Sequence, residues 1–386
     1  MAVAKWEVQL RPVNGLTDAD RQAWALLEGR AVEPNAFMSP HFVLPALKWL
    51  EKGKPPVLLW VERAAGGLKE LVAVGVFRQS LGTRTFPWPH LTAFQCEHSY
   101  LGGLLVDAGA VRPVLEAIQA FLSRSGCVWK GLEMPKVHTT GRLAETVVAL
   151  SGQRGQAAQL LGAQERAMLT LDQCGEALLR EQLGKKLNEV NRCMRRLEEQ
   201  GAVTWHCLRK EGIPEKSIEE FLRLEHMGWK GESGTSLNST DAGREFFRDM
   251  VRRFDADGHR ALFTELRLNG EAVASTCNFV SGTMGFAFKV GWDPEHRKLG
   301  PGMLNEVEFI RKARSECGDL KEFDSGASAD SFINRLWPGR RDLGLLLMPS
   351  SRMASMALTA AQRLRESRQA RRPNPEIDAI ITEVKA

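Results

Sequence analysis

The stretch that most constrains the fold runs from Arg260 to Met303. Arg260 to Leu268 alternates as a strand does, Asn269-Gly270 is the dipeptide of a two-residue hairpin, and Glu271 to Val280 returns as a second strand. Ser281-Gly282-Thr283 turns into a third strand, Met284 to Val290. Met303, Leu304, Val307 and Ile310 then recur at helical spacing, and Leu320 to Phe323 reads as a short strand ending at Asp324. The order is β-β-β, loop, α, β.

The loop has a chemistry of its own. In His296-Arg297-Lys298-Leu299-Gly300-Pro301-Gly302-Met303, the residues Arg297, Gly300 and Gly302 make R-x-x-G-x-G. At this spacing a backbone can turn its N–H groups inward and hand an anion to a helix N-terminus. Glycine permits close approach and positive φ, and Pro301 suits a first helical turn, where its missing N–H costs nothing. The pattern reads as a diphosphate cradle, although a glycine-containing turn between a strand and a helix is also ordinary punctuation.

Element order and loop together resemble the GNAT acyltransferases, whose acyl-CoA diphosphate loop Arg297 to Gly302 matches residue for residue. Further matches are Trp229-Lys230-Gly231, Trp292-Asp293-Pro294, Pro301-Gly302 and Phe323-Asp324-Ser325-Gly326. They resemble the CelD-type branch, named for cellulose biosynthesis and related in fold to the FemABX aminoacyl transferases. The likeness covers residues 170–348 well and the N-terminal part loosely.

At 386 residues the chain is comfortable as two domains, each able to bury a core. Upstream, a strand at 5–11, a helix capped by Thr17, a helix from Phe37 to Leu50 and strands at 57–61 and 71–77 precede a strand-like run at 101–106. A helix at 111–122, a strand at 128–132 and a helix at 143–150 follow. The later order is a strand at 203–208, helices at 215–227 and 240–254, then the three strands, loop, helix and strand. Both halves read β-α-α-β-β-β-α-β. The expected fold is α/β (α+β): two tandem GNAT-like domains, each a mixed, mostly antiparallel sheet flanked by helices. They occupy 1–165 and 166–348, with a basic tail at 349–386. Ser151 to Gly155 reads as the linker and Gly175 to Gln200 as one bridging helix. The first half has Asp107-Ala108-Gly109 where the anion loop would stand, so only the second is expected to hold cofactor.

Composition excludes several classes. The hydrophobic fraction of 43% and charged fraction of 26% fit a globular chain without an apolar run long enough to span a bilayer. Residues 1–10 lack a signal-peptide layout, so a cytoplasmic protein is expected. Seven scattered cysteines without C-x-x-C, and dispersed histidines without H-E-x-x-H, predict free thiols and no metal site. Neither a Walker A pattern nor a G-x-S-x-G elbow occurs. The net charge of +5 is mild, but Arg352, Arg363, Arg365, Arg368, Arg371 and Arg372 crowd the tail with Met353, Met356, Leu358 and Leu364 between them. Such a tail suits an anionic membrane surface or RNA, and also a solvated helix packed by one edge.

The resemblance implies acyl transfer from acyl-CoA, without a metal, to an amine or hydroxyl on an amino sugar, amino acid or envelope precursor. The pantetheine arm would lie along Phe288, Lys289 and Val290, and the diphosphate on Arg297, Lys298, Leu299, Gly300, Pro301, Gly302 and Met303. Asp324, at a strand end beside the crevice, is the first candidate proton acceptor, and can equally cap the segment that follows. Glu225 and His226 come second. Trp229, Lys230 and Arg335 are candidates for holding the acceptor. Tyr100, the only tyrosine, lies in the first half, so a tyrosine that protonates the departing thiolate is not expected in the second. Two other readings remain open: a FemABX-like transferase using aminoacyl-tRNA, the one reading that makes nucleic acid a partner, and a catalytically silent scaffold in polysaccharide assembly.

Overall fold

The computed structural model describes residues 5–227 and 229–370, with the side chains of residues 229, 230 and 368–370 outside that set. The first half runs β1 (Lys5–Pro12), α1 (Asp18–Gly29), α2 (Pro40–Pro45), β2 (Val57–Ala65), β3 (Leu68–Ser80), β4 (His90–Ala93), β5 (Leu105–Val106), α3 (Val111–Leu122), β6 (Gly131–His138), α4 (Arg142–Gln153) and β7 (Gln159–Thr170). Next come α5 (Gly175–Leu183) and α6 (Lys186–Glu198). The second half runs β8 (Val203–Leu208), α7 (Glu215–His226), α8 (Trp229–Glu232), α9 (Asp241–Ala256), β9 (Ala261–Leu268), β10 (Glu271–Ser281), β11 (Met284–Trp292), α10 (Pro301–Glu316), β12 (Glu322–Asp324), β13 (Gly339–Pro349) and α11 (Arg352–Ala370).

Local chemistry sets many of these boundaries. Thr17 and Asp20 close a reciprocal capping box at the start of α1. Asn269 and Gly270 both take positive φ, 53° and 86°, as the tight turn between β9 and β10 requires. The expected single helix over 175–200 is instead two, because Gly184 at φ 51° breaks it between α5 and α6. The run at 101–106 is extended as a strand only at Leu105–Val106, and β6 begins at Gly131 rather than Val128. Ser151 to Gln153 still belongs to α4, and the chain turns from there into β7.

All thirteen strands join one sheet in the order β1-β2-β3-β4-β6-β13-β7-β12-β11-β10-β9-β8, with β5 added beside β3. Pairing is antiparallel except between β4 and β6 and between β11 and β12, which are parallel. The mixed, largely antiparallel sheet and its flanking helices are therefore those expected. The order is also a palindrome in which each half gives up its last strand: β7 pairs with β12, while β13 pairs with β6. Among the described residues, no linker-like segment separates the two halves of this sheet.

One hydrophobic core crosses the seam. Trp24, Phe37 and Phe42 from the first half pack in the same cluster as Phe221, Phe246, Phe247, Phe254, Phe286 and Phe288 from the second. Phe37 meets Phe286 edge-on at 6.1 Å between ring centres, and Phe42 meets Phe246 at 5.7 Å. Polar ties accompany them: buried Glu28 pairs with Arg260, and His41 with Asp257 at 2.8 Å.

Candidate functional site

The site forms where β11 and β12 part. They pair at only three positions, Met284 to Phe286 against Glu322 to Asp324. Beyond these, β11 bulges: Cys277 on β10 faces Lys289 and Asn278 faces Ala287, so Phe288 is an extra residue with no partner across. A bulge bends its strand and leaves backbone groups unpaired. The two strand ends thus diverge around a groove of about 270 Å³, lined by Ala287 to Val290 on one side and Ser325 to Ala327 on the other. Gly326 makes the narrow wall feasible. Its φ is 62°, and a Cβ there would lie 2.5 Å from the carbonyl oxygen of Ala287.

The loop candidates lie at the start of α10. Arg297 and Lys298 are exposed on a 3₁₀ turn spanning Pro294–Leu299, and Gly300 adopts the left-handed conformation at φ 63° before Pro301 opens the helix. The first amides of an α-helix have no intrahelical acceptor, so this end presents N–H donors and positive potential. Gly302 has a packing role as well, since a Cβ there would come within 3.3 Å of the Trp292 side chain.

Of the expected catalytic groups, Asp324 is 1% exposed and stands between two arginines, 3.5 Å from Arg166 on β7 and 3.5 Å from Arg341 on β13. Its Oδ1 also accepts from the Gly326 amide at 2.8 Å. Arg166 and Arg341 face each other directly across the exchanged strands, so Asp324 is their common counter-charge. Glu225 is buried on α7, where its Oε2 accepts from the Leu237 amide at 2.8 Å and its Oε1 lies 3.6 Å from the Lys289 ammonium. His226 points into another setting, exposed and bonded to Ser236 Oγ at 2.7 Å. Trp229 and Lys230 start α8, and their side chains fall outside the described residues. Arg335 is exposed at the end of a 3₁₀ turn, Phe332–Arg335, whose Phe332 and Ile333 line the groove.

Two first-half residues complete the site, and reading the halves separately missed both. Tyr100 lines the groove, with its ring 5.8 Å from that of Phe288 and 5.2 Å from that of Phe37. Although Tyr100 belongs to the first half, the loop before β5 carries it across the seam to the groove. Burial, then the nearby charge of Glu225, raises its phenol well above the ordinary range, so it keeps its proton. His98 stacks on Phe246 at 5.5 Å and meets Phe288 edge-on at 6.0 Å. Burial and the Lys289 charge lower its pKa to about 3, which makes it a neutral ring at neutral pH. Neither residue sits in a periodic segment, so no sequence signal ties either to the groove.

A parallel strand pair splayed at a bulge stands next to a glycine loop that opens a helix, the arrangement that the sequence resemblance implied. Residues 184–332 match the family model described as the acetyltransferase (GNAT) domain. Among solved structures, FemX is similar at 11% identity with a TM-score of 0.56, over 89% of this chain and 97% of that one. A C-terminal domain from Agrobacterium fabrum, assigned to a lysylphosphatidylglycerol synthetase, is similar at 14% identity with a TM-score of 0.50, over 90% and 96% of the two chains. Both likenesses concern the fold. No curated protein matches the chain.

Proposed function

We propose that the chain is an acyltransferase of the CelD-type branch that moves an acyl group from acyl-CoA to an amine. The observation that carries the reading is the groove between β11 and β12 at a bulge, beside the R-x-x-G-x-G loop. In this reading Arg297 to Met303 hold the diphosphate and Phe288 to Val290 flank the pantetheine arm. Backbone N–H groups of β11 near the bulge stabilise the oxyanion as the amine attacks the thioester carbonyl. The C–N bond forms, the C–S bond breaks, and Tyr100 gives its proton to the departing thiolate. Of the candidate proton acceptors, Asp324 is neutralised by its two arginines. Glu225 connects to the groove through Lys289, so the base role passes to Glu225.

Acceptor class, an amino sugar, amino acid or envelope precursor, and a cytoplasmic setting belong to the same proposal. So does contact of α11 with an anionic membrane surface, which its exposed Met353, Met356 and Leu364 beside Arg352 and Arg363 support. A FemABX-like use of aminoacyl-tRNA has its own observation. On α6, Lys186, Arg192, Arg195 and Arg196 are exposed, as is Lys185 before it, while the apolar edge of the helix packs on Leu299 and Leu304 beside the loop.

Calorimetric titration with coenzyme A tests the leading reading. Wild type is expected to bind at micromolar concentration, and Arg297→Ala to lose about tenfold or more. Failure of wild type to bind sinks the acyl-CoA reading and favours tRNA. Binding without turnover of any donor and acceptor pair indicates a silent scaffold.

A further inference from the structure

The floor of the groove holds two oxygens with nothing to accept. Glu306, on the second turn of α10, is 7% exposed, and its Oε1 accepts from the Trp337 indole N–H at 2.9 Å. No described residue donates to its Oε2. Asn278 on β10 is 6% exposed, and its amide nitrogen donates to the Leu262 carbonyl and to Thr276 Oγ1, both at 3.3 Å. Those acceptors fix the amide's orientation and leave Oδ1 without a donor among the described residues. Both residues line the groove, and neither oxygen is sealed inside protein.

Their surroundings make this arrangement costly when empty. Ala287, Val290, Ala327, Ile333 and Trp337 give the surrounding lining apolar stretches, and burial pushes the Glu306 carboxyl up to about 7. A hydrocarbon chain would desolvate both oxygens and return no hydrogen bond. A ligand that brings an O–H or N–H removes the penalty.

We propose that Glu306 and Asn278 form an acceptor subsite that binds a hydroxyl or amino substituent on the acyl chain of the donor. The inference rests on the reading of this groove as the donor site. It makes the donor a hydroxyacyl or aminoacyl thioester rather than an unsubstituted one.

Calorimetric binding of four thioesters and of free coenzyme A tests it. The pairs are 3-hydroxybutyryl-CoA against butyryl-CoA, and β-alanyl-CoA against propionyl-CoA. In wild type the substituted member of at least one pair is expected to bind about tenfold tighter, and which pair shows it distinguishes hydroxyl from amine. In Glu306→Gln the indole N–H holds the amide oxygen and the amide N–H₂ faces the groove, where it can donate to a hydroxyl but not to an ammonium, so the β-alanyl ratio should fall to about one and the hydroxybutyryl ratio by less. Asn278→Ala, which leaves α10 intact, should lower the ratio several-fold and carries the test if Glu306→Gln does not fold. Equal affinities within both pairs in wild type would overturn the inference. So would equal weakening of all five ligands in Glu306→Gln, because Glu306 would then hold the shared arm. If thioesters and free coenzyme A alike fail to bind wild type, the donor reading itself fails and takes the inference with it.

Discussion

Replacing Asp324 by Asn separates a structural carboxylate from a catalytic one. Asp324 is 1% exposed, the Arg166 side chain 4% and the Arg341 side chain 14%, so the three charges lie away from water. Asparagine keeps the shape, and with it an oxygen for the Gly326 amide, but removes the charge. Arg166 then retains its bond to the Tyr100 carbonyl at 2.8 Å, and Arg341 its pairing with Glu322 at 3.2 Å. The two guanidinium groups, opposite each other on β7 and β13, lose the counter-charge between them. Breaking a buried ion pair from one side costs about 3–5 kcal/mol. Both contacts here are long, so the lower end, about 3 kcal/mol, is expected. Urea denaturation followed by tryptophan fluorescence should show a clearly lower midpoint. Restoring only part of the interaction, Arg341→Met combined with Asp324→Asn should recover some of the loss, because one of the opposed cations is gone. A midpoint equal to that of wild type, with kcat reduced a hundredfold, would refute this reasoning and return Asp324 to the role of proton acceptor.

Tyr100→Phe removes the proposed proton donor while keeping the ring packed on Phe288 and Phe37. It should lower kcat about a hundredfold without moving the pH profile between 6 and 9, because the phenol of the wild type is already raised beyond that window; unchanged kcat would exclude the role. Glu306 gives a stability signature. Burial holds its pKa at about 7, above the ordinary 4.5 of a free glutamate, so the folded state binds the extra proton, and stability falls as pH rises from about 4.5 through 7. The stability of Glu306→Gln, read from denaturation, should therefore gain on wild type across that interval, approaching a difference of roughly 3 kcal/mol above it. A constant gap between the two proteins at pH 5 and pH 8 would count against a carboxyl raised by burial.

Much of the fold was legible because its signals are local. Asn269-Gly270 marks a hairpin from two adjacent residues, and the periodicity of Val111 to Leu122 places α3 without reference to anything distant. The groove was legible for the same reason, since the three strands and the glycine loop are contiguous in sequence. What was not legible depends on partners far along the chain. β7 carries Gln164-Glu165-Arg166 at its centre and β13 begins Gly339-Arg340-Arg341-Asp342, so neither reads as a buried strand. Their polar residues satisfy each other, as Arg340 does with Glu165 at 2.9 Å. Asp324 illustrates the limit: its position beside the crevice was readable, but its pairing with Arg166 and Arg341 exists only after the two last strands are exchanged. Glu306 carries no local signal, because its setting depends on the Trp337 indole reaching it from outside the helix.

That exchange bears on what the first half is for. Without an anion loop it has no evident claim on a diphosphate, yet it supplies Tyr100 to the groove and Phe37 to the shared core. If each half kept its own last strand, β13 would stand beside β12; here β7 takes that place and β13 goes to β6. The second half alone, residues 166–386, would lack β6 and most of β7, leave β13 without partners from Asp342 onward and expose the faces of Phe286 and Phe246 that Phe37 and Phe42 cover. Exposed strand edges and apolar faces of this kind favour aggregation over folding. Residues 166–386 expressed by themselves should therefore fail to give a cooperative thermal transition, and co-expression with residues 1–165 should restore one. A stable, monomeric second half that turns over acyl-CoA would show instead that the first half is dispensable, and that Tyr100 reaches the groove without serving it.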